Sequence, residues 1–326
     1  MAIQVQLRRG TAAQNNAFTG AIGELSFDTT ANQVRIHNGS TAGGFKIGVG
    51  NFPTGTNNVA LGNTPLDSLD GSSPGGNNSG VGHDALTATT TGSDLVAVGK
   101  DALKANTTAS NNVAVGSGAL ATSTAATDNT AVGYQALNAN TTGADNVALG
   151  DEAGHDITTG SRNVIVGSKA GDAATTTDDT TLVGYGAGGG AIMTGHDNVA
   201  VGSGSLSVTT SGASNVAIGK DALAANTTAD KNTAVGYQSA ASNTTGAGNV
   251  AIGGGATYAA LGSDTQGKFT TAVGFGALTA QNFTSDTASN NTALGYFAGG
   301  VMTTGTGNTF LGALAGDDCV DGVSNV

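Results

Sequence analysis

Three dipeptides, His83-Asp84, His155-Asp156 and His196-Asp197, carry the residue types best suited to hold a metal or polarise a nucleophile. They fall at different positions within the repeat described below, so stacking does not gather them, and each reads as a solvated loop pair. Glutamate occurs only at Glu24 and Glu152. That leaves little from which to build the paired carboxylates of glycoside hydrolysis, and no insertion is large enough to form a cleft. Asp178-Asp179 and Asp317-Asp318 offer hard oxygen ligands for Ca²⁺, but without EF-hand spacing or a repeated Gly-Gly-x-Gly-x-Asp signature. The sequence leaves a structural ion undecided. Gly188-Gly189-Gly190 and Gly253-Gly254-Gly255 lack the strand–glycine–helix context and the following Lys-Ser/Thr of a phosphate loop. No catalytic residue, no cofactor and no dedicated metal site is therefore expected.

The elements that must position any site are the rungs of a repeat. A glycine closes a short apolar run at 62, 82, 99, 116, 133, 150, 167, 184, 202, 219, 236, 253, 274, 295 and 312, mostly at intervals of 17 residues. Gly99, Gly116, Gly133, Gly150, Gly167, Gly219 and Gly236 mark the most regular stretches. The residue before each glycine is Val, Leu or Ile, and the one before that is usually Ala. The fourth residue back is Asn except at Leu95, Thr180 and Thr270. Three residues past the glycine comes a second anchor, as in Ala102-Leu103 and Ala136-Leu137. Val and Ile favour extended backbone, and alternation sends branched side chains to one face and a methyl group to the other. Such a strand suits burial on both sides, as in stacked parallel sheets. Glycine permits the corner, and stacked Asn side chains can hydrogen-bond from rung to rung. The expected fold is all-β: a parallel β-solenoid of about fifteen rungs. Helical repeats are excluded, because Gly, Asn and paired Thr recur in every copy.

Composition agrees with a thin core repeated many times. Among 326 residues there are 54 Gly, no Trp and only 14 Phe or Tyr. Each rung has few aliphatics, so a lone chain would be marginal, and three chains side by side would bury the second apolar face. Net charge is −12, with Arg8, Arg9, Arg35 and Lys46 facing only Glu24 and Asp28 within residues 1–48. The acidic remainder repels phosphate, which argues against nucleic-acid binding. No apolar run approaches a membrane span and no export signal opens the chain, so assembly in a cytoplasm is expected. The lone Cys319 cannot form an intramolecular disulfide.

Residues 1–48 lie outside the repeat. Ile3 to Leu7 alternates like a strand, and Glu24 to Asp28 followed by Gln33 to His37 reads as a hairpin, with Asn38-Gly39 a further turn. Residues 49–56, with Pro53, form a junction, 57–316 the shaft, and 317–326 the start of a further rung. Because Asn325-Val326 is in register with that rung, the chain is expected to be part of a longer fibre.

The pattern Asn-Val-Ala-Val-Gly-x-x-Ala-Leu resembles the head repeat of trimeric autotransporter adhesins of the YadA type. The run from Asn129 to Gly143 is more similar still to the repeats of phage tail-fibre proteins. Residues 3–14, 20–30 and 34–44 resemble the N-terminal module of the phage major tropism determinant and of many phage fibres. The resemblance implies a left-handed, homotrimeric β-roll with a small N-terminal β-prism, attached to the virion tail or baseplate through residues 1–48. It implies a non-enzymatic tail fibre contributing to host recognition, with a structural head or neck fibre, or a bacterial surface adhesin, as alternatives. The adhesin repeat is shorter, so the return loops here should be longer.

Insertions in a solenoid map to loops. The period lengthens to 20 residues between Gly62 and Gly82 and to 21 on either side of Gly274. Tyr258, Phe269 and Phe283 lie in or beside the latter two insertions and are the candidate contacts to a host glycan or protein. They serve equally well as filling for a wider rung.

Overall fold

The computed structural model describes residues 8–19, 21–22, 24–28, 33–36, 40, 42, 45–47, 58–62, 65–66, 75–254, 261 and 265–326. The expected strand at Ile3 to Leu7, the Asn38-Gly39 turn, the junction at 49–56 and Tyr258 lie outside the described residues.

Four strands form an N-terminal sheet in chain order: β1 (Arg8–Gly10), β2 (Leu25–Asp28), β3 (Gln33–Ile36) and β4 (Phe45–Ile47). The expected hairpin is present, with β2 and β3 antiparallel and Leu25 opposite Ile36. Parallel pairing of β1 with β2 requires a crossover, and a short helix, α1 (Ala12–Ala17), lies on the connection. This helix was not expected in an all-β chain. Its start is a capping box: the Thr11 hydroxyl accepts from the Gln14 amide at 3.4 Å, and the Gln14 side chain accepts from the Thr11 amide at 2.9 Å. Asn15, buried, donates to the Gly10 carbonyl at 2.8 Å and so ties the helix to β1.

Fifteen three-residue strands, from Val59–Leu61 to Thr309–Leu311, stack in sequence order as one parallel sheet. The register advances one repeat per strand without slip: Ala148 pairs with Ala131 on one side and with Ile165 on the other. The chain is an all-β parallel solenoid of about fifteen turns.

The two faces of each strand divide unequally. The central residue, usually Ala, points inward and is fully buried in nearly every rung. The flanking Val, Leu or Ile points outward and is only half-buried or exposed. Burial on both sides, expected from the alternation, is therefore not achieved within one chain. The interior must be narrow because the turn contains only 17 residues, so the methyl goes in and the branched groups go out.

The core beside these alanines comes from the second anchor. Leu86, Leu103, Leu120, Leu137, Leu206, Leu223 and Leu278 are buried, and each has a backbone φ between 49° and 57°. A left-handed leucine costs on the order of 1–2 kcal/mol, while burying its side chain contributes about 1.5–3 kcal/mol. Burial wins, narrowly, in each of these rungs. Where glycine replaces that leucine, the volume returns from elsewhere. A Cβ on Gly154 would stand 3.0 Å from Ile165 Cδ1 and 3.3 Å from Ile157 Cδ1, both belonging to buried side chains. Leu182 and Met193 fill the same space beside Gly188. Interior volume is conserved while the residue supplying it moves around the rung.

The asparagines form the expected ladder. Asn146 is representative: its amide donates to Asn129 Oδ1 at 3.0 Å, and its Oδ1 accepts the Asn163 amide at 3.0 Å. Its Nδ2 donates to the Gly160 carbonyl at 2.8 Å. One buried side chain thus satisfies groups in two neighbouring rungs that would otherwise be orphaned.

Candidate functional surfaces of the shaft

The His-Asp pairs remain separate, as their positions in the repeat require. His155 Nδ1 lies 2.6 Å from Asp156 Oδ1, and His196 Nδ1 accepts the Asp178 amide at 2.9 Å. His83, Asp84 and Asp101 come together across adjacent rungs, with ligand atoms within 4.8 Å of one another. Lys104 already bridges the two carboxylates of that group, 3.3 Å from Asp84 and 2.9 Å from Asp101. Its hydrogen bond holds the Asp101 carboxyl below the usual range. The arrangement is an exposed ion-pair network whose lysine supplies the positive charge a cation would bring.

Among the described residues, Asp172 is the one carboxylate pushed the other way. Burial raises its pKa, and its Oδ1 has no hydrogen-bond partner among the described residues. The folded chain holds a proton there more firmly than the unfolded chain does. Stability is therefore lost as pH rises from the ordinary Asp range through the raised folded value. Asp172→Asn removes the loss. The variant should melt higher than the parent at pH 7, by on the order of a degree or two, with the gap closing below about pH 3. Thermal melts at the two pH values check this.

The expected contact residues separate on inspection. Phe283 is 5% exposed, so its ring fills the widened rung and is not displayed. Phe269 is 58% exposed and lies over the bare backbone of Gly248, where a Cβ would come within 2.9 Å of the ring. Flanking the two in sequence, Gly267–Lys268 and Thr287–Ala288 pair as a parallel two-stranded sheet, which gives the insertions their own small ladder. The corner glycines Gly99, Gly116, Gly133, Gly150, Gly167, Gly219 and Gly236 all have φ between 129° and 146°, and a Cβ on each would run into the next corner's backbone.

Among the described residues, the outward strand face is an uncovered apolar stripe. Val98, Leu149, Val164, Ile218, Ile252 and Leu294 line it and are 37–47% exposed. Repeated over fifteen strands at about 4.8 Å each, the stripe is roughly 70 Å long. An apolar patch of that extent marks an interface. Alternation predicted two apolar faces but not that the bulkier one would be left outside. No helix among the described residues is long and apolar enough to cross a membrane.

Comparison with known proteins bears on the N-terminal end. Residues 5–41 match the family described as the major tropism determinant N-terminal domain. Over 47 residues the chain is 51% identical to the tail fiber receptor-binding protein of Bordetella phage BPP-1. The match covers 14% of this chain and 12% of that protein, so it takes in only a small part of either.

Proposed function

We propose that the chain is a non-enzymatic bacteriophage tail-fibre protein, built as a homotrimer that contributes to host recognition and adsorption. The observation that carries this is the tropism-determinant domain matched at residues 5–41, together with the likeness to a tail fiber receptor-binding protein, in one chain with a solenoid suited to a shaft. Residues 1–48 act as the trimerising, β-prism-like attachment module, and 49–56 as a junction to the tail or baseplate-distal shaft of residues 57–316. Through residues 317–326 the ladder continues: the Asn325 amide donates to Asn308 Oδ1 at 2.9 Å, as the Asn308 amide does to Asn291 Oδ1. The roll is taken as left-handed, with a repeat of the adhesin-head kind, and assembly takes place in the host cytoplasm. Exposed Phe269 is the receptor contact retained from the insertions, and Tyr258 shares that role.

Trimerisation follows from the half-exposed aliphatic stripe, which one neighbour along each edge would cover. Ile218→Asp with Val164→Asp places charge in the middle of it, where burial without a partner is costly. Sedimentation equilibrium should show three chains per particle for the parent and one for the double variant. A parent that sediments as a monomer rejects the trimer. Gold-labelled antibody against the shaft should decorate tail fibres of intact particles and block adsorption. Decoration of the head or neck, or of tails without any block, would replace the recognition role with a purely structural one.

A further inference from the structure

The residue immediately after each corner glycine forms a single file along the shaft. The amide one position later donates to the carbonyl of the equivalent file residue one rung back. Glu152 donates to Tyr134 at 2.8 Å, Gly204 to Tyr185 at 3.0 Å and Leu314 to Tyr296 at 2.8 Å. The file therefore advances by about 4.8 Å per rung. Tyr134, Tyr185 and Tyr237 occupy it at every third rung, roughly 14 Å apart. Phe275 and Tyr296 follow in adjacent rungs, their rings stacked at 5.8 Å with planes 13° apart.

These five rings are 38–65% exposed, and every tyrosine among the described residues is one of them. The rung itself does not need an aromatic here, since Ser117, Asp151 and Lys220 take the same place in other rungs with the ladder intact. Between the three spaced tyrosines stand short or polar groups: Asp151 and Ser168 in the first gap, Ser203 and Lys220 in the second. Flat apolar platforms separated by hydrogen-bonding groups suit a polymer of rings bearing hydroxyls. Single-stranded nucleic acid also uses such platforms, but only where a cationic groove follows the phosphates. Here the chain carries a net charge of −12, and Lys220 is engaged by Asp221 at 2.6 Å and by the Tyr237 ring at 5.5 Å. The charge selects an uncharged chain of sugars over a polyanion.

We propose that this file is a carbohydrate-binding track. Faces of neutral pyranose rings stack on Tyr134, Tyr185 and Tyr237, and Asp151, Ser168 and Ser203 engage the hydroxyls between them. The track lies on a different part of the rung from the receptor contact proposed at Phe269, and it needs only the purified chain to be tested. Loss of phage adsorption or of fibre labelling would therefore sink the tail-fibre reading without touching it.

The test is affinity electrophoresis of the full chain in native gels cast with dextran, mannan or galactomannan, with polygalacturonate as the polyanion. Tyrosine emission gives a second readout, undisturbed because the chain contains no Trp. At least one neutral polysaccharide should retard the protein and shift its emission. The triple variant Tyr134→Ala, Tyr185→Ala, Tyr237→Ala should bind about tenfold or more weakly, with unchanged melting and unchanged oligomeric mass. No retardation by any neutral polysaccharide overturns the track, as does equal binding by the triple variant or preference for polygalacturonate. A changed oligomeric mass in that variant also overturns it, because the tyrosines would then belong to a contact between copies.

Discussion

Gly150→Val should be among the most damaging single substitutions in the shaft. Gly150 has φ = 141°, a region closed to side-chain-bearing residues. A Cβ there would sit 2.6 Å from both the carbonyl carbon and the oxygen of Gly167 in the next rung. Neither the dihedral nor the clash relaxes locally, because the neighbour is backbone held by its own ladder bond: the Gly167 amide donates to Leu149 at 2.8 Å. A loss of about 3 kcal/mol or more is expected, read as a lowered denaturant midpoint with early exposure of the rungs on either side. Gly186→Asn is the matched control. Its φ is 59°, which Asn tolerates, and a Cβ there has nothing within 4 Å. It should melt within about half a kcal/mol of the parent. Equal effects at the two sites would show that the corner geometry does not hold the rungs together.

Asn146→Ala should rank second. Removing the carboxamide leaves the Asn163 amide without its acceptor and the Gly160 carbonyl without its donor, both inside a fully buried column. Each orphaned group costs about 1–3 kcal/mol, so a total of about 2–5 kcal/mol is expected from equilibrium unfolding. Asn146→Thr should cost less. The chain itself uses buried threonine at two ladder positions: the Thr180 and Thr270 backbone amides donate to the preceding asparagine's Oδ1 at 3.0 Å, and their hydroxyls find partners of their own in the Asp178 carbonyl and the Gln281 side chain. Leu95 does the same with the amide alone, accepting a break in the ladder in exchange for a filled interior. A Thr variant as damaging as the Ala variant would mean that space, and not hydrogen bonding, sets the cost.

The parts of this fold legible in the sequence are those in which one residue type answers one local need. Glycine at the corner and asparagine four residues before it recur because no other residue meets the dihedral or the hydrogen bonds as well. Their period gave the strand positions, and the Gln33 to Ile36 hairpin followed from alternation. The rest depended on neighbours far along the chain. Leucine is never predicted in a left-handed conformation, and Leu103 adopts one only because the interior of its rung rewards it. The exchange of Leu137-type anchors for Ile157 and Ile165 spreads one volume over three columns, which a single-column reading does not see. The helix at residues 12–17 carried a readable signal, Thr11 with Gln14, that was masked by the β character of its surroundings. For the candidate surfaces, sequence placed Phe269 and Phe283 together, whereas the solenoid separates them by turning one ring outward and the other in.

The axial ladder has a mechanical consequence. Because the backbone bonds between rungs, such as the Gly150 amide to the Val132 carbonyl at 2.8 Å, point along the shaft, tension applied end to end loads those bonds head-on and not in shear. Bonds arranged in this way yield a few at a time, so the fibre peels turn by turn instead of snapping. Each turn of 17 residues gives up a length of about 5 Å along the stack. Fully extended, it releases up to roughly 60 Å of chain. A single shaft can therefore lengthen about tenfold under load while its remaining turns stay folded.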